Sequence, residues 1–407
     1  MSFPRYESYK DSGVEWLGEV PEYWEVCALK RIAMLKSGDT INSDSIEEIG
    51  DFPVFGGNGL RGYTTSSTHE GIYALIGRQG ALCGNINYAQ GKFWASEHAV
   101  VVSPLNSVET YWLGELLRAM NLNQYSTSAA QPGLSVEIIC NLLVPLPPLD
   151  EQSSIATFLS RETAKIDALI TEQQRLIELL KEKRQAVISH AVTKGLNPSA
   201  PMKDSGVEWL GKVPEHWTIS ALKQKVKMRY GDALASEIRE EGDVEVFGSN
   251  GRVGSHCLAN TKVPAIVVGR KGSYGKIVWA EKGGFVIDTA YAIDSDTTGL
   301  DLRWVYYWLQ PLGLDSLSQD TGVPGLAREK AYEMRIVVPP LSEQQTIATF
   351  LDRETAKLDT LTAEAKTAIT LLQERRTALI SAAVTGKIDV RGLVSAKTEV
   401  KAETVPC

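Results

Sequence analysis

The chain has 407 residues, 43% hydrophobic and 23% charged, with a formal net charge of −8, which is typical of a soluble protein with two or three globular domains. No run of about 18 apolar residues occurs, and the first residues lack a signal-peptide core, so the sequence predicts neither a membrane span nor export. The five scattered cysteines predict reduced thiols in a cytoplasm, without a disulfide framework or a zinc site.

The negative charge is unevenly distributed along the chain. Residues 1–150 contain 9 Lys and Arg against 17 Asp and Glu, whereas residues 197–341 contain 17 against 18. Net charge bears on solubility, while binding of an anionic partner depends on where the basic groups lie. The acidic total therefore does not exclude nucleic acid as a partner.

A nine-residue segment, KDSGVEWLG, occurs twice, at residues 10–18 and 203–211. The match continues at an offset of 191 to 193 residues, which indicates a tandem duplication of nearly the whole chain. Residues 34–130 and 227–322 share little with each other, so we expect a common scaffold that presents two different surfaces. The further matching segments are 52–63 with 244–255, 73–89 with 265–280, QPGLS (131–135) with VPGLA (323–327), and 146–169 with 338–361.

Each half begins with a region of short apolar runs separated by turn residues, which predicts a mixed, mostly β domain. The predicted strands include Tyr73–Ile76, His98–Val102, Ala265–Val268 and Phe285–Ile287. Asn58-Gly59 and Asn250-Gly251 are predicted hairpin turns. The four tryptophans of the repeated opening segment, Trp16, Trp24, Trp209 and Trp217, are predicted to belong to the core.

Two glycine-rich segments resemble nucleotide-binding loops only formally. Residues 57–62 match GxGxxG, but TTSSTHEG follows where an amphipathic helix is required. Residues 269–276 are one residue too long for a P-loop, and Ile277 stands where Ser or Thr would bind magnesium. Neither segment is predicted to bind a cofactor.

The same loops carry donor side chains that suit DNA. Gly77-Arg78-Gln79-Gly80 and Gly269-Arg270-Lys271-Gly272 place long donors between glycines that permit close approach. Arg, Gln and Asn can bond base edges, and Lys and Arg can bond phosphates, although a solvated turn is the alternative for any single residue. The predicted DNA-binding residues are Lys36, Asn58, Arg61, Arg78, Gln79, Lys227, Arg229, Asn250, Arg252, Arg270, Lys271 and Lys276.

Each half ends in a long predicted helix, at residues 150–193 and 342–385, without Pro or Gly. Asp150 and Ser342 are predicted N-caps, with Ser342 and Gln345 as a capping box, and Gly195 and Gly386 are predicted stops. The apolar stripes predict a coiled-coil contact between the two helices. The stripe residues are Ile155, Phe158, Leu159, Ile166, Leu169, Leu180, Ile347, Phe350, Leu351, Leu358, Leu361 and Leu372.

If the helices pair along their length, they run antiparallel and hold two heads apart; the alternative is that each helix folds onto its own head. The predicted fold class is therefore α+β, with two mixed, mostly β domains in a pseudo-two-fold tandem repeat, joined by two long antiparallel coiled-coil helices. No catalytic residue is predicted. The five histidines show no metal spacing, and Asn197-Pro198-Ser199-Ala200 fails as the motif of a nucleobase methylase.

These segments resemble the specificity subunit of type I restriction–modification systems. The resemblance covers residues 3 to about 390 and rests on SGVEWLGxVPxxW, FGxNG, GRxG and PPL[D/S]EQxxIATFLxxETAK, each present twice. It implies target-recognition domains at residues 1–147 and 197–340 and spacer helices at 148–196 and 341–387. The tail at 388–407 lies outside the pattern, and we expect it to be mobile. Each domain would bind one half of a split sequence in double-stranded DNA, and the helices would set the gap.

The resemblance also implies partners and cofactors. Two copies of an adenine-methylating subunit would dock on the helices and bring S-adenosylmethionine, and restriction–translocation subunits would bring ATP and Mg²⁺. This chain would hold no cofactor or metal and would work in a bacterial or archaeal cytoplasm. The alternatives are a coiled-coil protein scaffold, a stand-alone DNA-binding regulator and, with the least support, an unrecognised nuclease.

Overall fold

The computed structural model describes residues 3–80, 82–105, 108–126, 133–317 and 325–394, and the chain divides into two compact units. The first unit combines residues 1–173 with 367–407, and the second holds residues 174–366. Both long helices are therefore divided between units, whereas the sequence had assigned them to separate spacers. The predicted pair QPGLS and VPGLA lies partly outside the described residues, as do residues 395–407 of the predicted tail.

The first unit is built on a six-stranded sheet with the order β4-β9-β7-β8-β5-β6, in which only the β5–β8 pair is parallel. Two-stranded pairs, β1 with β2 and β3 with β10, flank it. Its elements are β1 (Tyr9–Asp11), β2 (Glu19–Pro21), β3 (Glu25–Ala28), β4 (Ala33–Ser37), β5 (Phe52–Gly56), β6 (Gly59–Thr64), β7 (His69–Gly77), β8 (Ile86–Ala95), β9 (Ala99–Pro104), α1 (Thr110–Ala119), α2 (Val136–Cys140), β10 (Leu143–Leu146) and the first part of α3 (Leu149–Lys194).

The second unit repeats this arrangement, with its main strands divided into sheets of order β14-β20-β17-β18 and β16-β15-β19. Here too the hairpin strand β15 has one parallel neighbour, β19. Its elements are β11 (Met202–Asp204), β12 (Lys212–Pro214), β13 (Thr218–Ala221), β14 (Arg229–Tyr230), β15 (Val244–Gly248), β16 (Gly251–His256), β17 (Ala265–Gly269), β18 (Ile277–Ala280), β19 (Phe285–Val286), β20 (Ala290–Ile293), α4 (Leu302–Leu309), α5 (Arg328–Glu333), β21 (Arg335–Val338) and most of α6 (Leu341–Val384). A short helix, α7 (Arg391–Val394), follows in the first unit.

The long helices agree with the predicted ranges to within one residue, but their starts differ in detail. The backbone N–H of Gln152 donates to Pro148 and that of Gln344 to Pro340, so α3 and α6 begin directly after these prolines. Asp150 and Ser342 therefore lie inside the first turn and are not the N-caps, which also removes the predicted capping box. The predicted stops are confirmed, since Gly195 and Gly386 adopt φ of +76° and +73°.

The glutamines that follow the proline pairs perform the same task in each unit. Gln152 is buried; its amide Nε2 donates to the Pro147 carbonyl, and its Oε1 accepts the backbone N–H of Glu109, the N-cap of α1. Gln344 does the same between Pro339 and Asp301, the N-cap of α4. This pair explains why EQ occurs in both copies of the motif: the glutamine fixes the long helix to the domain that precedes it.

Each unit buries parts of both long helices in its own core. In the first unit, Ile155, Phe158, Leu159 and Ile166 of α3 share a cluster with Leu379, Ile380 and Val384 of α6. In the second unit, Ile188 and Val192 share a cluster with Ile347 and Leu351. Two predicted stripe residues are wrong, because Leu169 and Leu361 are 51% and 46% exposed; Leu180 and Leu358 are buried, and Phe350 and Leu372 are partly buried.

The described part of the predicted tail is folded, which corrects the expectation of a mobile segment from residue 388. Val390 is fully buried in the core of the first unit, and the backbone N–H of Asp389 donates to the carbonyl of Pro4. The guanidinium of Arg391 lies 5.0 Å from the ring centroid of Tyr6. The segment after α6 thus closes the core over the beginning of the chain.

A lysine at or just after the end of each long helix holds the opening segment of its unit. The ammonium of Lys387 donates to the carbonyls of Leu17 (3.0 Å) and Glu19 (2.6 Å). Lys194 donates in the same way to Leu210 (2.6 Å) and Lys212. The two lysines exchange places with the adjacent glycine, KG in one copy and GK in the other, yet bond equivalent carbonyls.

We expect Lys387→Met to lower the free energy of unfolding by about 1–3 kcal/mol, because two backbone carbonyls lose a charged donor. Urea unfolding followed by tryptophan fluorescence measures the loss. Lys10→Met, at an exposed position in the same opening segment, is the matched control and should change stability by less than about 0.5 kcal/mol. Equal effects of the two substitutions would contradict this role of Lys387.

In the part of the chain that the structure describes, no helix combines the length and apolar character needed to cross a membrane.

Candidate nucleic-acid interface

Five loop segments meet at one edge of the sheet in the first unit. At this edge β4, β5 and β7 end and β9 begins. The amide of Arg78 donates to His98, that of Leu134 to Arg78, and that of Asp39 to Ala95, so the segments are tied together through backbone atoms. Gln79 and Gly133 form an isolated bridge. The described segments are residues 37–39, 57–59, 77–80 with 82–85, 96–98 and 133–135.

The second unit builds the same loop edge with the same backbone bonds. The amide of Arg270 donates to Thr289, that of Leu326 to Arg270, and that of Asp232 to Val286. Lys271 and Gly325 form the bridge that corresponds to Gln79 and Gly133. The corresponding segments are residues 230–232, 249–251, 269–276, 287–289 and 325–328.

Glycines are required where these loops cross. A Cβ on Gly77 would overlap the carbonyl oxygen of Gly57, and one on Gly269 would lie 2.6 Å from that of Ser249. The hairpin loops themselves are Gly57-Asn58 and Ser249-Asn250, one residue earlier than predicted. The glycines after them, Gly59 and Gly251, take φ of +93° and +108° at the start of the next strand.

In the first unit this edge presents Arg78, Gln79 and Asn58. Arg78 Nη1 donates to the hydroxyl of Ser37 at 3.2 Å, and the Gln79 amide oxygen lies 3.2 Å from Nδ1 of His98. Asn58 and Gln79 are exposed at the loop tips. The edge thus offers a guanidinium and two amides to a ligand, beside the carboxylates of Asp39 and of Glu97, the latter paired to His98.

The corresponding edge in the second unit is more basic. Arg270 Nη1 donates to the carbonyl of Asp288 at 2.9 Å, and Lys276 Nζ donates to both the carbonyl and the side-chain oxygen of Asn250 at 2.8 Å. Lys271 is exposed beside them. The predicted residues Arg270, Lys271, Asn250 and Lys276 are therefore brought together.

Other predicted residues lie away from these loop tips. The prediction that Arg229 binds DNA is wrong. Its Nη2 donates to the fully buried carboxylate of Asp294 at 2.9 Å and to the carbonyl of Asn260, so this side chain stabilises the fold. Arg252 pairs with Glu245 within its hairpin, and the stem of Arg61 lies against Gly56. Lys36 is exposed on β4, and Lys227 is exposed just before β14.

The sequence did not single out Tyr230 and Arg328, which the structure places beside Arg270. The guanidinium carbons of Arg270 and Arg328 lie 4.8 and 4.5 Å from the centroid of the Tyr230 ring. The duplication itself could have indicated Tyr230. It is the last residue of β14 and occupies the position equivalent to Ser37, the last residue of β4 in the first unit. No pattern in the sequence connects Arg328 to this loop.

No grouping of His, Cys, Asp and Glu able to hold a metal ion occurs among the described residues. The side chains at the loop edges offer hydrogen-bond donors and positive charge. Such an arrangement can bind a polyanion and contact base edges, since Arg, Lys, Asn and Gln are the side chains that do so.

A family model described as the type I restriction modification DNA specificity domain matches residues 21–180 and again residues 214–371. These two matches cover most of the chain and coincide with the two copies of the repeat.

Curated proteins and solved structures give the same result. The specificity subunit of the type I restriction enzyme EcoprrI of Escherichia coli is 43% identical over 155 residues, which span 36% of this chain and 38% of that protein. The putative MjaX specificity subunit of Methanocaldococcus jannaschii is 23% identical over 96% of this chain and 99% of its own length. A solved structure titled as the basis of complex assembly and conformational transition of the type I R-M system has the same fold, with a TM-score of 0.64, 16% identity and coverage of 90% and 98%.

Proposed function

This chain belongs to the type I restriction–modification DNA specificity family, and we propose that its two units each recognise one half of a bipartite sequence in double-stranded DNA. The chain selects the DNA, and the chemistry belongs to partner subunits. The single observation that carries this proposal is the loop edge, which is present twice with matched backbone bonds and different side chains. Two edges of one design with Arg78, Gln79 and Asn58 in one, and Arg270, Lys271 and Asn250 in the other, suit two different half-sites.

We further propose that α3 and α6 pair antiparallel along their length and set the distance between the half-sites. Two ion pairs, each within one unit, support this register. Arg376 bonds Asp167 at 2.9 Å in the first unit, and Arg184 lies 3.4 Å from Asp359 in the second. Arg184 is 17 residues after Asp167, and Asp359 is 17 residues before Arg376, which is the relation expected for one continuous antiparallel register.

The exposed leucines on the helices are the surface that we assign to two copies of a methylating subunit. Leu169 and Leu361 occupy equivalent positions in the repeat and are both about half exposed, so each unit presents an equivalent apolar side chain on its helix. Two equivalent contacts fit two copies of one partner. S-adenosylmethionine would be held by that subunit, and ATP and Mg²⁺ by restriction subunits that join the complex in the cytoplasm.

Exchange of residues 34–140 for the equivalent segment of another family member should change one half of the methylated sequence and leave the other half and the gap intact. The reason is that this segment supplies the loop edge of the first unit, while the remaining scaffold is common to both. Sequencing of methylated adenines in cells that carry the complete system measures both halves at once. A change in both halves, or in neither, would contradict the proposal that each unit recognises one half of the sequence.

Mobility-shift assays on the wild-type chain, with and without the methylating subunit, separate the alternatives. A scaffold that binds only protein would shift no duplex under either condition. A stand-alone regulator would bind its specific duplex equally tightly in both.

A further inference from the structure

The second unit contains a stack of three side chains that has no counterpart in the first. Tyr230, 44% exposed at the end of β14, has the guanidinium groups of Arg270 and Arg328 within 5 Å of its ring centroid. Two like charges beside one ring repel each other, so each guanidinium must be held in place by other contacts. Those contacts differ between the two arginines.

Among the described residues, the side chain of Arg270 donates a hydrogen bond through only one of its three nitrogens. Its backbone is fixed by bonds to Thr289 and from Leu326, and its Nη1 donates to the carbonyl of Asp288. Among the described residues no acceptor bonds its Nε or Nη2. Contact with the Tyr230 ring then restricts the guanidinium, and its Nε and Nη2 donors remain available to a ligand.

Arg328 is anchored to the body of the unit. Its Nη1 donates to the carbonyl of Met228 at 3.3 Å, and its Nε and Nη2 bond the carboxylate of Glu329. Its guanidinium also lies 5.5 Å from the ring centroid of Tyr332. Since each of its three guanidinium nitrogens already donates to a protein acceptor, Arg328 is fixed beside the Tyr230 ring.

The Tyr230 ring has one more neighbour, Tyr291 of β20, at a centroid distance of 5.1 Å. Burial, followed by the neighbouring Tyr230 hydroxyl, raises the pKa of Tyr291 to about 12, so this side chain stays neutral at physiological pH. Tyr230 therefore contacts both Tyr291 and Arg328, and these contacts restrict the ring against which Arg270 lies.

In the first unit the equivalent arginine lacks this support. Ser37 stands where Tyr230 stands, and Val136, the first residue of α2, stands where Arg328 begins α5. Arg78 has the Ser37 hydroxyl as its side-chain partner at 3.2 Å. The stack is thus a property of the second unit alone.

We propose that Tyr230 and Arg328 are positioning residues that fix the guanidinium of Arg270 to contact the acceptor edge of a guanine in the half-site bound by the second unit. This inference rests on the proposed function. A guanidinium in a fixed plane donates two parallel bonds to O6 and N7 of guanine, and a fixed plane reduces the entropy lost on contact. The second unit should consequently discriminate at this base more strongly than the first unit does through Arg78.

The test uses the complete complex of this chain with its methylating subunit and measures Kd for four duplexes. The first duplex carries the full site. The second has a guanine replaced by 7-deazaguanine in the half-site of the second unit, the third has a base change in the other half-site, and the fourth has no site. In the wild type, removal of N7 should weaken binding about 10- to 100-fold. Arg270→Gln should abolish this difference, and Tyr230→Leu and Arg328→Gln should each reduce it to about threefold.

The controls distinguish positioning from a general structural effect. Tyr230→Phe keeps the ring and should retain the wild-type difference, and Arg335→Gln removes an exposed arginine of β21 and should also retain it. Tyr230→Leu should leave the response to the first half-site unchanged, whereas a misfolded unit would weaken binding to all duplexes. Overturning results would be an unaltered 7-deazaguanine effect in Tyr230→Leu, or a half-site without guanine. A wild-type complex without two-part specificity would instead refute the proposed function.

Discussion

Insertion of seven residues into each long helix, between Gln173 and Gln174 and between Ile369 and Thr370, is expected to lengthen the recognised gap by about three base pairs. Seven helical residues add about 10.5 Å, and each base pair of DNA occupies about 3.4 Å. Seven residues also restore the apolar stripe to the same side of both helices. Methylated-adenine sequencing reports the new gap directly.

The two insertion points are chosen from the ion pairs. Continuing the register of Asp167 with Arg376 and Arg184 with Asp359 places Gln173 beside Thr370, so both insertions fall at one level of the proposed helix pair. The same insertion in α3 alone is the control. It displaces the ion pairs and apolar contacts of one helix relative to the other, and it should prevent assembly of an active complex. An unchanged gap after the double insertion would refute the spacer proposal.

Much of the scaffold could be predicted because its signals are local or repeated. The signals that define α3 and α6 are local: apolar periodicity within each helix, prolines just before it and a glycine just after it. The predicted ranges therefore agreed with the observed ones to within one residue. The errors arose where tertiary contacts decide. Leu169 and Leu361 fit the stripe by spacing, yet they are half exposed, and the predicted caps failed because the chain is helical from the residue after the proline pair.

The loop edges were predictable only in part for a similar reason. Asn58, Arg78, Asn250 and Arg270 stand beside turn glycines, and the duplication marks them twice. Arg229 has the same composition signal as Lys227, but a buried carboxylate 65 residues later in the chain, Asp294, determines its role. No sequence spacing carries that information, because the partner directly follows another strand of the sheet, β20.

The strongest contact that sequence analysis missed joins the two most similar segments of the repeat. The buried carboxylate of Glu151 accepts hydrogen bonds from the hydroxyls of Tyr6 and Tyr23 and from Nε1 of Trp24. In the second unit Glu343 accepts from Nε1 of Trp217 and from His216. The tryptophan of the opening segment and the glutamate of the helix motif therefore occur together because they are bonded to each other.

Burial, and then the bond to Glu151, raises the pKa of Tyr23 to about 12, and the same causes raise that of Tyr6 further. A tyrosine whose folded-state pKa is raised stabilises the fold fully below its ordinary pKa of about 10 and loses this contribution as the pH rises through the folded-state value. The contact is thus at full strength at neutral pH and should weaken above pH 10.

Glu151→Ala is expected to lower the free energy of unfolding by about 3–5 kcal/mol, because Trp24 and Tyr6 are left as buried donors without an acceptor. Urea unfolding at pH 7 measures the loss. Glu343→Ala is the matched control in the other unit and should cost about half as much, since His216 is half exposed and can bond water. Trp24→Phe keeps most of the volume and removes one donor, so it should cost less than Glu151→Ala. Equal losses for Glu151→Ala and Glu343→Ala would show that the tyrosine hydroxyls add nothing to the contact, and stability would then rest on the tryptophan–glutamate bond that both units share.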